Sequence, residues 1–81
     1  MYTVYVIKDN KGNFYKGFTN NIDRRMKEHR SGKTKTTKKM DNIKIVYSEN
    51  AANRQDARTR EKYLKSAAGR RYLKSIGIMQ S

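Results

Sequence analysis

Five side chains have types and an order that could do chemistry. Tyr5 lies in the run TVYVI (residues 3–7) and Tyr15 in NFYKGF (residues 13–18), ten residues later. Arg25 and His29 follow, four residues apart, and Glu61 stands much further on in a basic segment. Two phenols, a guanidinium, an imidazole and a carboxylate make a kit for cutting a phosphodiester with a single divalent metal. A guanidinium matches phosphate oxygens with two parallel hydrogen bonds. One carboxylate suffices for Mg²⁺ or Mn²⁺ when water and phosphate oxygens complete the shell, so Glu61 is the candidate metal ligand. A phenol acting as base starts from a pKa of about 10, so ionising it at pH 7 costs about 4 kcal/mol. Neighbouring cations reduce that cost, and this chain has many.

Each residue also has an ordinary structural reading. Tyr5 and Tyr15 can be strand aromatics, Arg25 can lie along the core edge, and His29 can be a satisfied buried histidine. Glu61 can pair with Arg58, Lys62 or Lys65, all close in sequence. Position weighs against that reading. Ile22, Arg25, Met26 and His29 follow the i, i+3, i+4, i+7 pattern of one helix face. Ala57, Glu61, Leu64 and Ala68 share another. A titratable group set into an apolar stripe needs a partner or a job.

The elements that must position these groups are legible. YTVYVIK (residues 2–8) is β-branched and aromatic and reads as a strand. DNKGN (residues 9–13) is turn chemistry, and FYKGF returns as a second strand, giving an antiparallel hairpin. Side chains alternate faces, so if Tyr5 pairs near Tyr15 or Gly17, both phenols share one side. Gly17 would then leave a gap for a large group. Thr19, Asn20 or Asn21 caps a helix from near Ile22 to Arg30 or Ser31, ended by Gly32. Lys33 to Asp41 reads as a basic loop and IKIVY (residues 43–47) as a third strand. Asn53 caps a second long helix, with Asp56 three residues on. Gly69 is expected to interrupt that helix, RRYLKSI (residues 70–76) to form a short last helix ended by Gly77, and residues 77–81 to fray. The expected fold is α+β: a three-stranded antiparallel sheet, built from the N-terminal hairpin plus a third strand, flanked by about three helices in one domain over residues 1–81.

Charge sets the partner class. Twenty Lys and Arg against seven acids give the 81-residue chain a net +13. Residues 24–39 hold eight basic residues and one acid, and residues 54–74 eight and two. Such density points to a polyanion rather than a merely solvated surface, because self-repulsion brings no folding benefit. No basic helix has a broad apolar opposite face, which argues against a membrane surface. Nucleic acid is the expected partner, DNA ahead of RNA, with monomer and homodimer both open. The chain has no cysteine and one histidine, which excludes a disulfide framework, thiolate metal sites and a multi-histidine zinc site. No apolar stretch approaches ~18 residues, and the N-terminus lacks signal-peptide features. A cytoplasmic setting is expected.

The run TVYVI…NFYKGFTNNIDRRMKEH resembles the GIY-YIG nuclease domain, and REKYLKSAAGRRYLKS resembles the later part of its small stand-alone members. These are similar to the N-terminal nuclease domain of the excinuclease that acts as an endonuclease in DNA repair. The resemblance covers residue 2 to about residue 76. Its specificity lies in the ordered set of two tyrosines, Gly17, Arg-x-x-x-His and a distant helical glutamate. It implies metal-dependent phosphodiester hydrolysis. Tyr5 or Tyr15 would activate water, Arg25 would neutralise charge on the phosphate, His29 would handle a proton or the phosphate, and Glu61 would hold the metal. Gly17, Thr19, Asn21, Lys16, Lys33 and Lys35 are candidate substrate contacts. There are departures: Thr3 and Val4 replace Gly and Ile of the first motif, Lys16 replaces the Ile of the second, Phe18 stands where several members have lysine, and no asparagine follows Asn53. Lys16 shares its strand face with Phe14 and Phe18, so it must snorkel or reach the substrate. The alternatives to a nuclease are a basic nucleic-acid-binding module with weak or no catalysis and a protein that binds an acidic protein partner. So small a module, burying ~600–1,000 Å², has little room for base readout, so weak sequence preference is expected.

Overall fold

The computed structural model describes residues 1–32 and 40–79. Its elements are β1 (Tyr2–Lys8), β2 (Phe14–Thr19), α1 (Ile22–Arg30), β3 (Lys44–Ala51), α2 (Arg54–Lys65) and α3 (Ala67–Ser75). The sheet is antiparallel in the order β2-β1-β3, so the expected α+β architecture with three strands and three helices is what forms.

β1 is central and is covered on both faces. Val4, Tyr5, Val6 and Ile7 are all fully buried, which is why this strand reads as a continuous apolar run. Val4 and Val6 pack with Ala57, Leu64 and Leu73 beneath α2 and α3. Tyr5 and Ile7 pack with Met26 and Ile43 on the opposite face, beneath α1. Each such side chain contributes about 1.5–3 kcal/mol by leaving water.

The hairpin turn is tied by Asp9. Its carboxylate accepts from Lys11 N at 2.9 Å, Asn13 N at 2.7 Å and Asn13 Nδ2 at 2.9 Å. The register then places Gly17 opposite Tyr5 and Tyr15 opposite Ile7.

Three boundaries differ from expectation. β3 continues four residues past Tyr47, pairing Ala51 with Tyr2 and Glu49 with Val4. Ser48, Glu49 and Asn50 carry no strand pattern of their own, and the central strand supplies the ladder. The second helix ends at Ser66, not at Gly69. Ser66 turns extended (φ −76°, ψ 168°), ends α2 and caps α3 by accepting from Gly69 N. Gly69 lies inside α3, where a Cβ would strike the Tyr63 carbonyl and stand 2.5 Å from Leu64 Cα. α3 accordingly starts at Ala67 instead of Arg70. Finally, the tail expected to fray from residue 77 is tied down as far as Met79. The N–H groups of Ile78 and Met79 donate to Leu73 O at 2.9 and 3.4 Å, and both side chains pack on the core. Among the described residues, no helix is long and apolar enough to cross a membrane.

Candidate active site

β1, β2 and α1 bring four of the five expected residues into one cluster. The Tyr5 hydroxyl is 2.9 Å from His29 Nε2. The Tyr15 ring lies 5.1 Å from the His29 ring, edge-on, and 6.3 Å from the Tyr5 ring. Arg25, one helical turn before His29, interacts with the hydroxyls of both tyrosines and donates from Nη1 to Glu28 at 3.0 Å. α1 presents these groups because Asn21 caps it, its side chain accepting from Arg24 N at 3.0 Å. Ser31 and Gly32, the latter at φ +78°, close its other end.

Glu61 arrives from the other face of the sheet. α2 is held against β3 by Arg60, which donates to Glu49 at 2.8 Å and stacks over the rings of Tyr63 and Tyr72. α2 packs on β1 and on β2, an edge strand around which the two faces of the sheet meet. The Glu61 carboxylate, 16 % exposed, accepts from Lys65 Nζ at 3.0 Å.

Electrostatics sort the two buried groups. Burial pushes the Tyr5 hydroxyl above the ordinary phenol value; Tyr15 and Glu61 add to this, and the Arg25 guanidinium opposes it. Burial, then the Arg25 charge, holds the His29 imidazole below its ordinary value. At neutral pH a protonated phenol thus faces a neutral imidazole. Such a pair keeps the core free of charge at neutral pH.

The expected substrate contacts divide. Gly17 is buried and leaves no gap: a Cβ there would be 2.9 Å from Tyr5 Oη and 3.0 Å from Tyr15 Cε2. Its missing side chain seats the two phenols rather than a ligand. Thr19 is buried, its Oγ1 accepting from Asn21 N at 3.1 Å and donating to Asn21 O at 3.3 Å. Thr19 and Asn21 are thus engaged in starting α1. Lys16 is half-buried on the α2 side of the sheet, opposite Val6. Lys33 and Lys35 lie outside the described residues. Glu28, the partner of Arg25, is a residue that sequence reasoning did not single out. Its i,i+3 spacing from Arg25 is the signal that would have found it.

Tyr5 is fully buried and His29 is 2 % exposed, while Tyr15 and Arg25 are partly exposed; Glu61, 16 % exposed, lies on α2 across the sheet. One surface cleft lies elsewhere, lined by Lys8, Asp9, Asn10, Asn42, Lys44 and Val46.

Residues 1–73 match the GIY-YIG catalytic domain. A UPF0213 protein of Clostridium perfringens is 35 % identical over 74 residues, spanning 90 % of this chain and 80 % of that one. A UPF0213 protein of Staphylococcus haemolyticus is 32 % identical over 74 residues, 90 % of each. The solution NMR structure of a UPF0213 protein of Bacillus halodurans aligns with a TM-score of 0.57 at 30 % identity, covering 95 % of this chain and 86 % of that one.

Proposed function

The chain belongs to the GIY-YIG catalytic domain family, a nuclease family, and from that premise we propose that it is a metal-dependent endonuclease. It hydrolyses phosphodiester bonds in nucleic acid, DNA ahead of RNA, with little sequence preference. The observation that carries this reading is the meeting of Tyr5, Tyr15, Arg25 and His29 around Gly17.

Arg25 grips the scissile phosphate. Its side chain is 33 % exposed, and Glu28 fixes the guanidinium from behind. A cation set in place beforehand stabilises charge that grows on the phosphate without having to reorganise. Tyr15 is the phenol nearer to solvent and meets the attacking water. Tyr5 and His29 stand behind it as a buried neutral pair, the Tyr5 hydroxyl bonded to His29 Nε2, and hold the Tyr15 ring in place.

The residues present fit a divalent cation in one way. Among the described residues no three acids or histidines cluster, so no protein cage would hold an ion. Glu61 offers one carboxylate whose present partner is the ammonium of a 53 % exposed lysine. That donor set suits Mg²⁺ or Mn²⁺ with water and substrate phosphate oxygens filling the shell. When bound, the ion would polarise the phosphate as a Lewis acid.

Single- and double-stranded DNA incubated with Mg²⁺ or Mn²⁺ should be cleaved by the wild type, and cleavage should be lost in Glu61→Ala and Arg25→Ala. A wild type that cuts nothing, or a Glu61→Ala protein that cuts equally well, refutes the proposal. The complete burial of Tyr5 favours a second reading, a binding module with little catalysis. Salt-sensitive binding with no metal-dependent turnover would select that reading.

A further inference from the structure

Lys16 occupies a costly position. It lies on the inner side of β2 between Phe14 and Phe18, both packed against the α2–α3 core. Its ammonium is half-buried, and burial, then Arg70, then Lys65 hold its pKa below the ordinary lysine value. The charges acting on it are thus cationic. Neither Lys16 nor Arg70 takes part in the three ion pairs found among the described residues. Arg70 is nonetheless fixed: its Nη1 donates to the Lys65 carbonyl at 3.3 Å, at the C-terminal end of α2. A cation is favoured there by the helix dipole. The anion close by is Glu61, already paired with Lys65. Three cations gathered at one strand edge repel each other, and an external polyanion relieves that repulsion.

We infer that Lys16, Lys65 and Arg70 form an anchor for the phosphate backbone of a bound DNA. The strand held at Arg25 then runs over the β2 edge, past Glu61, to the elbow between α2 and α3. Lys65, paired with Glu61 in the free protein, turns to the DNA backbone when DNA binds. The direction of the strand rests on the nuclease reading. The anchor itself does not, because binding can be measured without cleavage.

The test is duplex DNA binding in EDTA as a function of salt. Each phosphate contact contributes about 0.9 to the slope of log affinity against log salt. The triple variant Lys16→Gln, Lys65→Gln, Arg70→Gln should lose about 2.7 from the wild-type slope. A control that removes as many charges at the turn end of the hairpin, Lys8→Gln, Lys11→Gln, Lys44→Gln, should lose less than one contact's worth. Equal losses in the two variants, or an unchanged slope in the first, overturn the anchor. Backbone amide shifts of the wild type titrated with the same DNA give a reading independent of variant folding. They should move around residues 16, 65 and 70, and shifts confined to other elements count against the proposal. If the wild type binds no DNA at all, both the anchor and the nuclease reading fall. If it binds but lacks this anchor, the nuclease reading stands.

Discussion

Gly17→Ala tests the geometry on which the site depends. The added methyl would sit 2.9 Å from Tyr5 Oη, 3.1 Å from Tyr5 Cζ and 3.0 Å from Tyr15 Cε2. The first is closer than a methyl group tolerates, the other two require the rings to give by a few tenths of an ångström, and Tyr5 has nowhere to go. Its hydroxyl is bonded to His29 Nε2 at 2.9 Å, and its ring is fully buried. Overpacking of this kind costs about 1–3 kcal/mol. Losing or stretching the buried hydrogen bond adds about 1 kcal/mol. Restricting the unfolded chain returns about 0.4–1 kcal/mol. The net loss is about 2 kcal/mol, which for a domain of this size lowers Tm by roughly 8–16 °C. Thermal melts and urea titrations followed by circular dichroism measure it. The origin of the loss is tested by repeating the change in a Tyr5→Phe background, where the nearest clashing atom is gone. Gly17→Ala should then cost about 1 kcal/mol less, a coupling typical of residues in contact. A Gly17→Ala protein as stable as the wild type, or a cost unaffected by Tyr5→Phe, would show that the phenol does not lie over residue 17.

Gly69→Ala should destabilise by at least about 2 kcal/mol, because the new methyl meets backbone at Tyr63 and Leu64 and not a side chain that can swing away; an unchanged melt would refute the close α2–α3 contact. Burial and then the Arg25 charge lower the His29 pKa from its ordinary 6.5, so below about pH 6.5 the unfolded chain binds more protons than the folded one. The stability from keeping His29 neutral is complete above that pH and is lost as pH falls through the lowered folded value. The urea midpoint should drop over that window, and the drop should shrink in His29→Gln; equal profiles would sink the assignment. Replacing the ammonium beside Glu61 by Lys65→Met should strengthen Mn²⁺ binding to the DNA-free protein by about 1.4- to fivefold, since an exposed ion pair contributes about 0.2–1 kcal/mol. Electron paramagnetic resonance of free Mn²⁺ reads this directly, and unchanged affinity would place the cation elsewhere.

Much of the site was legible locally. Alternation along residues 2–8 and 14–18 put both phenols on one face, and the four-residue spacing of Arg25 and His29 put both on one side of α1. Asn21 and Asn53 announced their helices because capping is a bond within three residues. These features depend on periodicity and on hydrogen bonds between near neighbours, and the order of residues encodes such things directly.

What the tertiary structure alone decided is of another kind. The length of β3 came from pairing with β1, since Ser48–Asn50 have no pattern to announce it. The space at Gly17, open when the hairpin is considered alone, is filled by the Tyr5 ring once α1 and His29 press from above. The gathering of Lys16, Lys65 and Arg70 joins residues from β2, α2 and α3. It depends on Ser66 turning the chain between the two helices and on Gly69 letting α3 close onto α2. The sequence by itself supplied the chemical groups and the local elements that carry them. Which groups meet was decided by two-sided packing on one central strand, because distances between side chains remote in sequence are set by how buried surfaces fit together.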